Sequence, residues 1–341
     1  MPSSITRVRG ARDFRTDASD SDIPVDHPDF WGERLLTVDS KRRRHHARMH
    51  SALLLIAMAA LLSYCGWIVA AWDGVLWSLA GGAMMFVLVR RVPPDLMLQA
   101  MGARPVTRWE APMLYEILDA LCRQARLYRI PHLCWVAERF PVAFTIGQGE
   151  VATIALSKGL ASDMSAREVR GILAHEIVHI RNGDLALMQL AMVVGRLTRT
   201  VSQIAFLLVF FNLFLRTISI PSLPIVPLLV LALAPLAVGL MQLSLSRARE
   251  GEADLEAAEL TGDPYGLAFA LIKMRRREQM LLRGRFPGVA PLRVPSLFRD
   301  HPATEERIRA LLAMPQPRDS ESPDDGLMHP SYEWEGLRPW S

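Results

Sequence analysis

The chain has 341 residues, half of them hydrophobic, and a mean hydropathy of +0.17; it is too apolar for an ordinary soluble protein and long enough for one medium domain plus membrane spans. A net charge of +4 and a pI near 9.2 would suit a nucleic-acid binder, but the basic residues cluster beside apolar runs and form no basic face with interleaved aromatics, so they read as membrane flanks and no nucleic acid is expected. Of the three cysteines, Cys65 lies inside an apolar run and Cys122 and Cys134 are too far apart for Cys-x-x-Cys, which excludes a disulfide framework and points to a reducing compartment.

Residues 1–48 read as a polar extension, disordered and cytosolic, with no secretory signal peptide at its start. Phe30-Trp31 and Leu35-Leu36 offer at most a short amphipathic element there. Ser51 to Trp72 then carries no charge and suits a bilayer-crossing helix. A second uncharged run, Gly74 to Val89, follows Asp73, so residues 49–92 read as a transmembrane hairpin turning at Trp72-Asp73-Gly74.

Residues 93–199 read as a cytosolic core. Ala111 to Leu127 has helical apolar spacing through Leu114, Ile117, Leu118 and Leu121. His132 to Ala137, Val142 to Ile146 and Val151 to Leu156 are short apolar runs separated by Pro, Gly and charge, the pattern of a small sheet. Ser165-Ala166-Arg167-Glu168 is a capping box opening a helix that breaks at Gly183, with a helical pattern resuming from Leu185. That helix carries His175-Glu176-Ile177-Val178-His179. Histidines at i and i+4 share one face and reach one ion, and Glu176 beside the first can activate the attacking water. Zinc suits such donors, lowers the pKa of water and polarises a carbonyl. Unrelated histidines on a surface helix are the bland alternative; against it, the motif is flanked by apolar residues, where unpaired rings and a carboxylate would be costly to bury.

Thr200 to Leu215 and Thr217 to Ser246 are two further uncharged runs, a second hairpin over 200–246. Pro221, Pro224 and Pro227 suggest a broken entry, followed by a span from Ile225 to Leu245 that contains Pro235. In 247–314, Glu250 and Asp254 stand at i and i+4; one would bind the metal and the other would hold a ligand imidazole, with Glu252 a competing carboxylate. Residues 315–341 read as a flexible tail in which Trp334 and Trp340 could anchor a partner. Lys41 to Arg44, Arg48, Arg90, Arg91, Arg104, Arg108, Arg196, Arg199, Arg247 and Arg249 flank the runs on one side, against Asp73 and Arg216 on the other. Both termini and the active site are therefore expected on the cytosolic face of a multi-pass protein. His175, His179 and Glu250 can meet only if an even number of spans separates them, and the second hairpin supplies two.

The chain resembles the HtpX heat-shock protease family, relatives of the CAAX prenyl proteases. Ser157-Lys158-Gly159-Leu160 with Gly171 to Asp184 looks like the family's core block, Ser246 to Asp254 like its third-ligand block, and His301-Pro302-Ala303-Thr304-Glu305-Glu306-Arg307-Ile308 like its C-terminal block. The resemblance implies Glu250 as the third zinc ligand, one zinc ion per chain, and a bacterial inner-membrane endopeptidase acting on misfolded or membrane proteins. It makes His301 and Arg307 candidates for substrate or oxyanion contact; a structural histidine and a salt-bridged arginine are the alternative. One departure stands out: Val142 occupies the place before Ala143-Phe144 where the family commonly has Asn. Val151 to Leu156 is a candidate edge strand for an extended substrate.

The expected architecture is a mostly helical α+β integral-membrane zincin of gluzincin type, with a small sheet and about four transmembrane helices. A zinc-containing adaptor is the reading from another class, but a purely structural site needs no base such as Glu176. A prenyl-protein protease would have more spans, and a transporter's ion site would lie within an apolar run, where this motif does not. Substrate identity and oligomeric state leave no mark in the sequence.

Overall fold

The computed structural model describes residues 28–138, 140–217, 224–283 and 304–315. The chain falls into two units, Met1–His46 and Ala47–Ser341; the described part of the first, residues 28–46, is helical. The remainder of the polar extension, the tail containing Trp334 and Trp340, and His301 lie outside the described residues.

Among the described residues, three helices are long and apolar enough to cross a membrane. The first stretch, within α1 (Pro28–Arg91), covers His45–Arg91, 47 residues. A straight helix of that length would measure about 70 Å, more than twice the hydrocarbon thickness of a bilayer. It does not run straight. Ala70 (φ −147°, ψ 34°) and Ala71 (φ 48°, ψ −131°) leave helical geometry, and the backbones of Gly66 and Gly74 come into direct contact. A Cβ on Gly82 would lie 3.9 Å from Leu62 Cδ2, so the arms run antiparallel. The reversal thus falls at Ala70–Ala71 and not at Trp72-Asp73-Gly74. Gly74 serves instead as the bare surface against which Gly66 packs.

Helix α2 (Pro94–Ala100) leads to β1 (Arg104–Pro105) and α3 (Pro112–Gln124), and three more strands follow, β2 (His132–Val136), β3 (Ala143–Ile146) and β4 (Thr153–Ser157). The sheet order is β1-β2-β4-β3, with β2 and β4 parallel and the other pairs antiparallel. Consequently the expected edge strand is wrong: Val151 closes a short turn, Gly149–Val151, and β4 is an interior strand, buried at every position. An interior strand has no free backbone row to offer a peptide. The edge nearest the motif is β3.

The main core lies between one face of the sheet and helices α3 and α5 (Ala166–Asn182), with Leu118, Leu121, Ile154, Leu173 and Ile177 fully enclosed. A smaller cluster on the opposite face joins α2 to the sheet through Leu98, Phe144 and Ile146. Val142 belongs to that cluster, and its backbone N–H donates to Ser157 Oγ (2.9 Å). A short helix, α4 (Lys158–Asp163), connects β4 to α5.

Helix α6 (Asp184–Thr217) leaves the core directly after α5, and α7 (Ile225–Thr261) returns beside it. Pro224 caps α7 and Pro227 sits in its first turn, where a missing N–H costs nothing. Exposed Phe206, Phe210, Leu229 and Leu236 are what lipid-facing helices display. Below its apolar half, α7 continues as a polar helix into the core. Helix α8 (Pro264–Arg283) packs so closely on α5 that a Cβ at Gly171 would come within 2.7 Å of the Leu267 nitrogen. Helix α9 (Thr304–Leu312) packs on α7 and α8. The fold is α+β, mostly helical with a small mixed sheet and helices apolar enough to cross a membrane.

Candidate metal centre

The site is assembled on α5. Its capping box is formed in both directions: the Ser165 N–H donates to Glu168 Oε2 (2.7 Å) and the Glu168 N–H to Ser165 Oγ (3.3 Å). Gly183, in the left-handed region at φ 70°, ends the helix and lets Asp184 open α6 immediately. Val169, Ile172, Leu173 and Ile177 fix the apolar side of α5 in the core, which directs His175, Glu176 and His179 toward β3 and α7.

The two imidazole Nε2 atoms face each other at 3.1 Å. Behind them, His175 Nδ1 lies 3.0 Å from Asp254 Oδ1, a contact off the best hydrogen-bond line, and His179 Nδ1 lies 2.8 Å from Asp184 Oδ2. A carboxylate can only accept, so these contacts place the ring protons on Nδ1 and leave both Nε2 lone pairs pointing at one spot. Glu250 comes to the same spot, Oε2 3.5 Å from His175 Nε2 and Oε1 3.7 Å from His179 Nε2. One donor atom from each of His175, His179 and Glu250 falls within a 4.8 Å group. Two lone pairs and a carboxylate converging on one point repel one another unless a cation lies between them, so the donor set fits a divalent metal. Two nitrogens and an oxygen suit zinc with a position left open.

A second layer holds this geometry. Arg307 is buried; its Nε and Nη2 bind Asp254 (2.6 and 2.8 Å) while Nη1 reaches Glu250 Oε2 (2.8 Å). Arg249 Nε lies 2.8 Å from Asp184 Oδ1 and its Nη2 2.7 Å from Glu252 Oε2. Glu252 is therefore turned toward Arg249, away from the three-donor group. Burial disfavours a charged His175 ring, yet the Asp254 and Glu250 carboxylates outweigh it and push its pKa up to about 10. Burial likewise opposes charge on Arg307, and Asp254 and Glu250 overcome it, leaving the guanidinium above its ordinary range. Both shifts report a strongly negative pocket.

Glu176 is buried, and Thr145 of edge strand β3 donates its hydroxyl to Glu176 Oε2 (2.7 Å). A cavity of about 590 Å³ opens here, lined by Ala143, Thr145, the two histidines, Glu176 and Glu250, and it extends between α6 and α7. Arg307 does not line it; the structure places this residue behind the Glu250 and Asp254 carboxylates, salt-bridged to both. The sequence reading passed over Thr145, Asp184 and Arg249. Asp184, directly after the Gly183 cap, left the clearest signal.

Residues 108–315 match the model for peptidase family M48. The chain is 32% identical over 279 residues to a protein named Protease HtpX homolog from Methylibium petroleiphilum, covering 78% of this chain and 97% of that one. A protein of the same name from Ralstonia pickettii is 31% identical over 280 residues, covering 77% and 95%. The crystal structure of S. mikatae Ste24p superposes with a TM-score of 0.46 at 19% identity, covering 82% of this chain and 66% of that one.

Proposed function

The chain belongs to peptidase family M48 and is a membrane metalloendopeptidase; on that premise we propose that it cleaves misfolded or membrane proteins at the cytosolic face of the bacterial inner membrane, with one zinc ion per chain. The observation that carries the reading is the convergence of both Nε2 atoms and the Glu250 carboxylate on one point, beside a buried Glu176 that opens onto a cleft. The arginine asymmetry of the apolar runs supports the cytosolic orientation. We read residues 93–199 and 247–314 as one protease body interrupted by the hairpin over 200–246, with the hairpin over 49–92 as its amino-terminal anchor.

In this reading His175, His179 and Glu250 hold the metal. Asp254 and Asp184 fix the two rings, and Arg307 positions Glu250 and Asp254. Zinc, when bound, supplies a Lewis acid that acidifies water and polarises the scissile carbonyl. Thr145 holds one oxygen of Glu176, which leaves the other to accept the proton of the attacking water and return it to the departing amine. An extended substrate pairs with the free edge of β3, which brings its backbone alongside Thr145 and Glu176. Metal analysis paired with casein digestion tests this. Wild-type protein in detergent should carry about one zinc and cleave casein, and Glu176→Gln should keep the zinc and lose cleavage. Full activity in Glu176→Gln would remove the mechanism.

A further inference from the structure

The catalytic residues account for only one end of the cleft. The same cavity continues along α6 and α7 past Met188, Met192 and Leu240 to Arg196 and Arg199. Both arginines are exposed, and neither guanidinium pairs with a carboxylate among the described residues. They belong to the stretch Asp184–Asn212, one of the helices apolar enough to cross a membrane. At the flank of such a helix, an arginine that lines a cavity is placed to meet an anion there. Several arginines around the core have carboxylate partners: Arg167 with Asp263, Arg249 with Asp184, Arg277 with Asp163 and Arg307 with Asp254. Arg196 and Arg199, on the cleft wall, have none among the described residues.

Resting on the proteolytic reading above, we propose that Arg196 and Arg199 form an anion subsite that selects peptide substrates by a carboxylate, an acidic side chain or a free carboxy terminus, held at a set distance from the scissile bond. Asp184 touches the ring of His179 and so marks the metal end of α6. Arg196 and Arg199 lie twelve and fifteen residues further along, about 18 and 22 Å at 1.5 Å per residue. An extended peptide rises about 3.3 Å per residue, so the carboxylate belongs about five to seven residues from the cleaved bond. The apolar wall between the two ends accepts uncharged side chains in the intervening positions. Arginine is suited to the task, because its fork binds a carboxylate through two N–H groups at once.

The test uses the full-length protein in detergent. Peptides built on the casein bond cleaved fastest would carry Glu, Gln or Lys at successive positions on either side of that bond. In wild type, Glu at one distance should raise kcat/KM over Gln by roughly tenfold, the size of one charge-assisted hydrogen bond, mainly through KM. In Arg196→Gln/Arg199→Gln that ratio should fall to about one, and in Arg196→Glu/Arg199→Glu the preference should pass to Lys at the same position. The reversed variant guards against misfolding, since a gain of lysine preference cannot come from a damaged protein. An unchanged Glu-to-Gln ratio in the variants overturns the subsite while leaving the protease reading intact; failure of wild type to cleave any peptide overturns the protease reading itself. A loss that follows the phosphatidylglycerol content of reconstituted vesicles, whichever peptide is used, would assign the guanidiniums to lipid phosphate and overturn the proposal.

Discussion

Replacing Asp184 by Asn is the sharpest probe of how the metal centre is held. Asp184 is buried, with Oδ2 2.8 Å from His179 Nδ1 and Oδ1 2.8 Å from Arg249 Nε. Asn keeps the shape and can still accept from the ring, but it removes the charge that fixes the tautomer and makes Nε2 a better donor. It also leaves Arg249 with Glu252 as its remaining close carboxylate at 2.7 Å. Loss of such an outer partner typically weakens metal affinity by about 10–100-fold, or roughly 1.4–2.7 kcal/mol. Zinc competition against a chromophoric chelator in detergent reads that affinity, and the melting temperature of the zinc-free protein shows whether the fold has suffered. Asp254→Asn should act alike on His175, and the double variant should lose less than the sum, because both changes act through one ion. If Asp184→Asn binds zinc as tightly as wild type while melting normally, the pairing of His179 with Asp184 has no part in holding the metal, and the layered account of the site fails.

Thr145→Val should lower kcat by about tenfold, within the range of misplaced acid–base groups, while zinc content stays at wild-type level; unchanged kcat would free Glu176 from any dependence on β3. Cysteines at Leu62 and Gly82, placed in a chain whose native cysteines are replaced, should be joined readily by a short bismaleimide, because a Cβ on Gly82 falls 3.9 Å from Leu62 Cδ2. A straight helix would hold the two positions about 30 Å apart, so absence of the cross-link refutes the reversal at Ala70–Ala71. Asp263 predicts a pH effect on stability. Burial would raise its pKa, but Arg167 and the Gly266 and Tyr265 N–H groups outweigh that and hold it below the ordinary carboxylate range. A depressed carboxyl stabilises the fold above its unfolded pKa, about 3.9, and that contribution is lost as pH falls through the lower folded value. Since Arg167 is 42% exposed, the effect is kept to about 1 kcal/mol by solvent screening. Asn keeps the capping oxygen, so Asp263→Asn should melt below wild type at neutral pH and with it in strong acid; a difference independent of pH would contradict the ion pair.

What could be read from the sequence was what short spacing determines. His175, Glu176 and His179 lie within one helical turn of one another, and the Ser165–Glu168 cap and the Gly183 break are written in adjacent residues. Glu250 and Asp254 at i and i+4 were visible as a pair, but spacing could not say which of them turns toward the rings, since that depends on how α7 rolls against α5. Arg307 was left between two roles for the same reason: its polarity was evident, but its salt-bridge partners come from the packing of α9 on α7. Strand order is likewise non-local. Apolar runs announced three of the strands, whereas the exchange that puts β4 inside and β3 at the edge is set by pairing partners distant in sequence. The hairpin turn was misplaced because Ala70 and Ala71 carry none of the Gly, Pro or Asn signals that usually mark reversals.

The same connectivity makes the metal centre sensitive to the membrane helices. Asp184, which orients His179, is the first residue of α6, and Glu250 and Asp254 sit on the polar continuation of α7. The two helices are locked together where Gln242 Nε2 donates to the Ala191 carbonyl (2.7 Å) and Ser202 Oγ to the Ala232 carbonyl (2.8 Å). His175 and Glu176 are anchored to the sheet and to α8 through the buried face of α5, and the polar half of α7 packs on the same core through Ala253, Ala257 and Ala258. A tilt of the α6–α7 pair carried through the polar half of α7 would therefore shift Glu250 and the support of His179 together, relative to the base on α5. The candidate ligands are divided between α5 and α7, so a bound zinc would tie these two helices together. Removing it should loosen α7 more than α5, and hydrogen exchange with and without chelator would read this as greater loss of protection across 246–261 than across 166–182. Equal loosening of both segments would show that the core and hairpin are held as one body by packing alone.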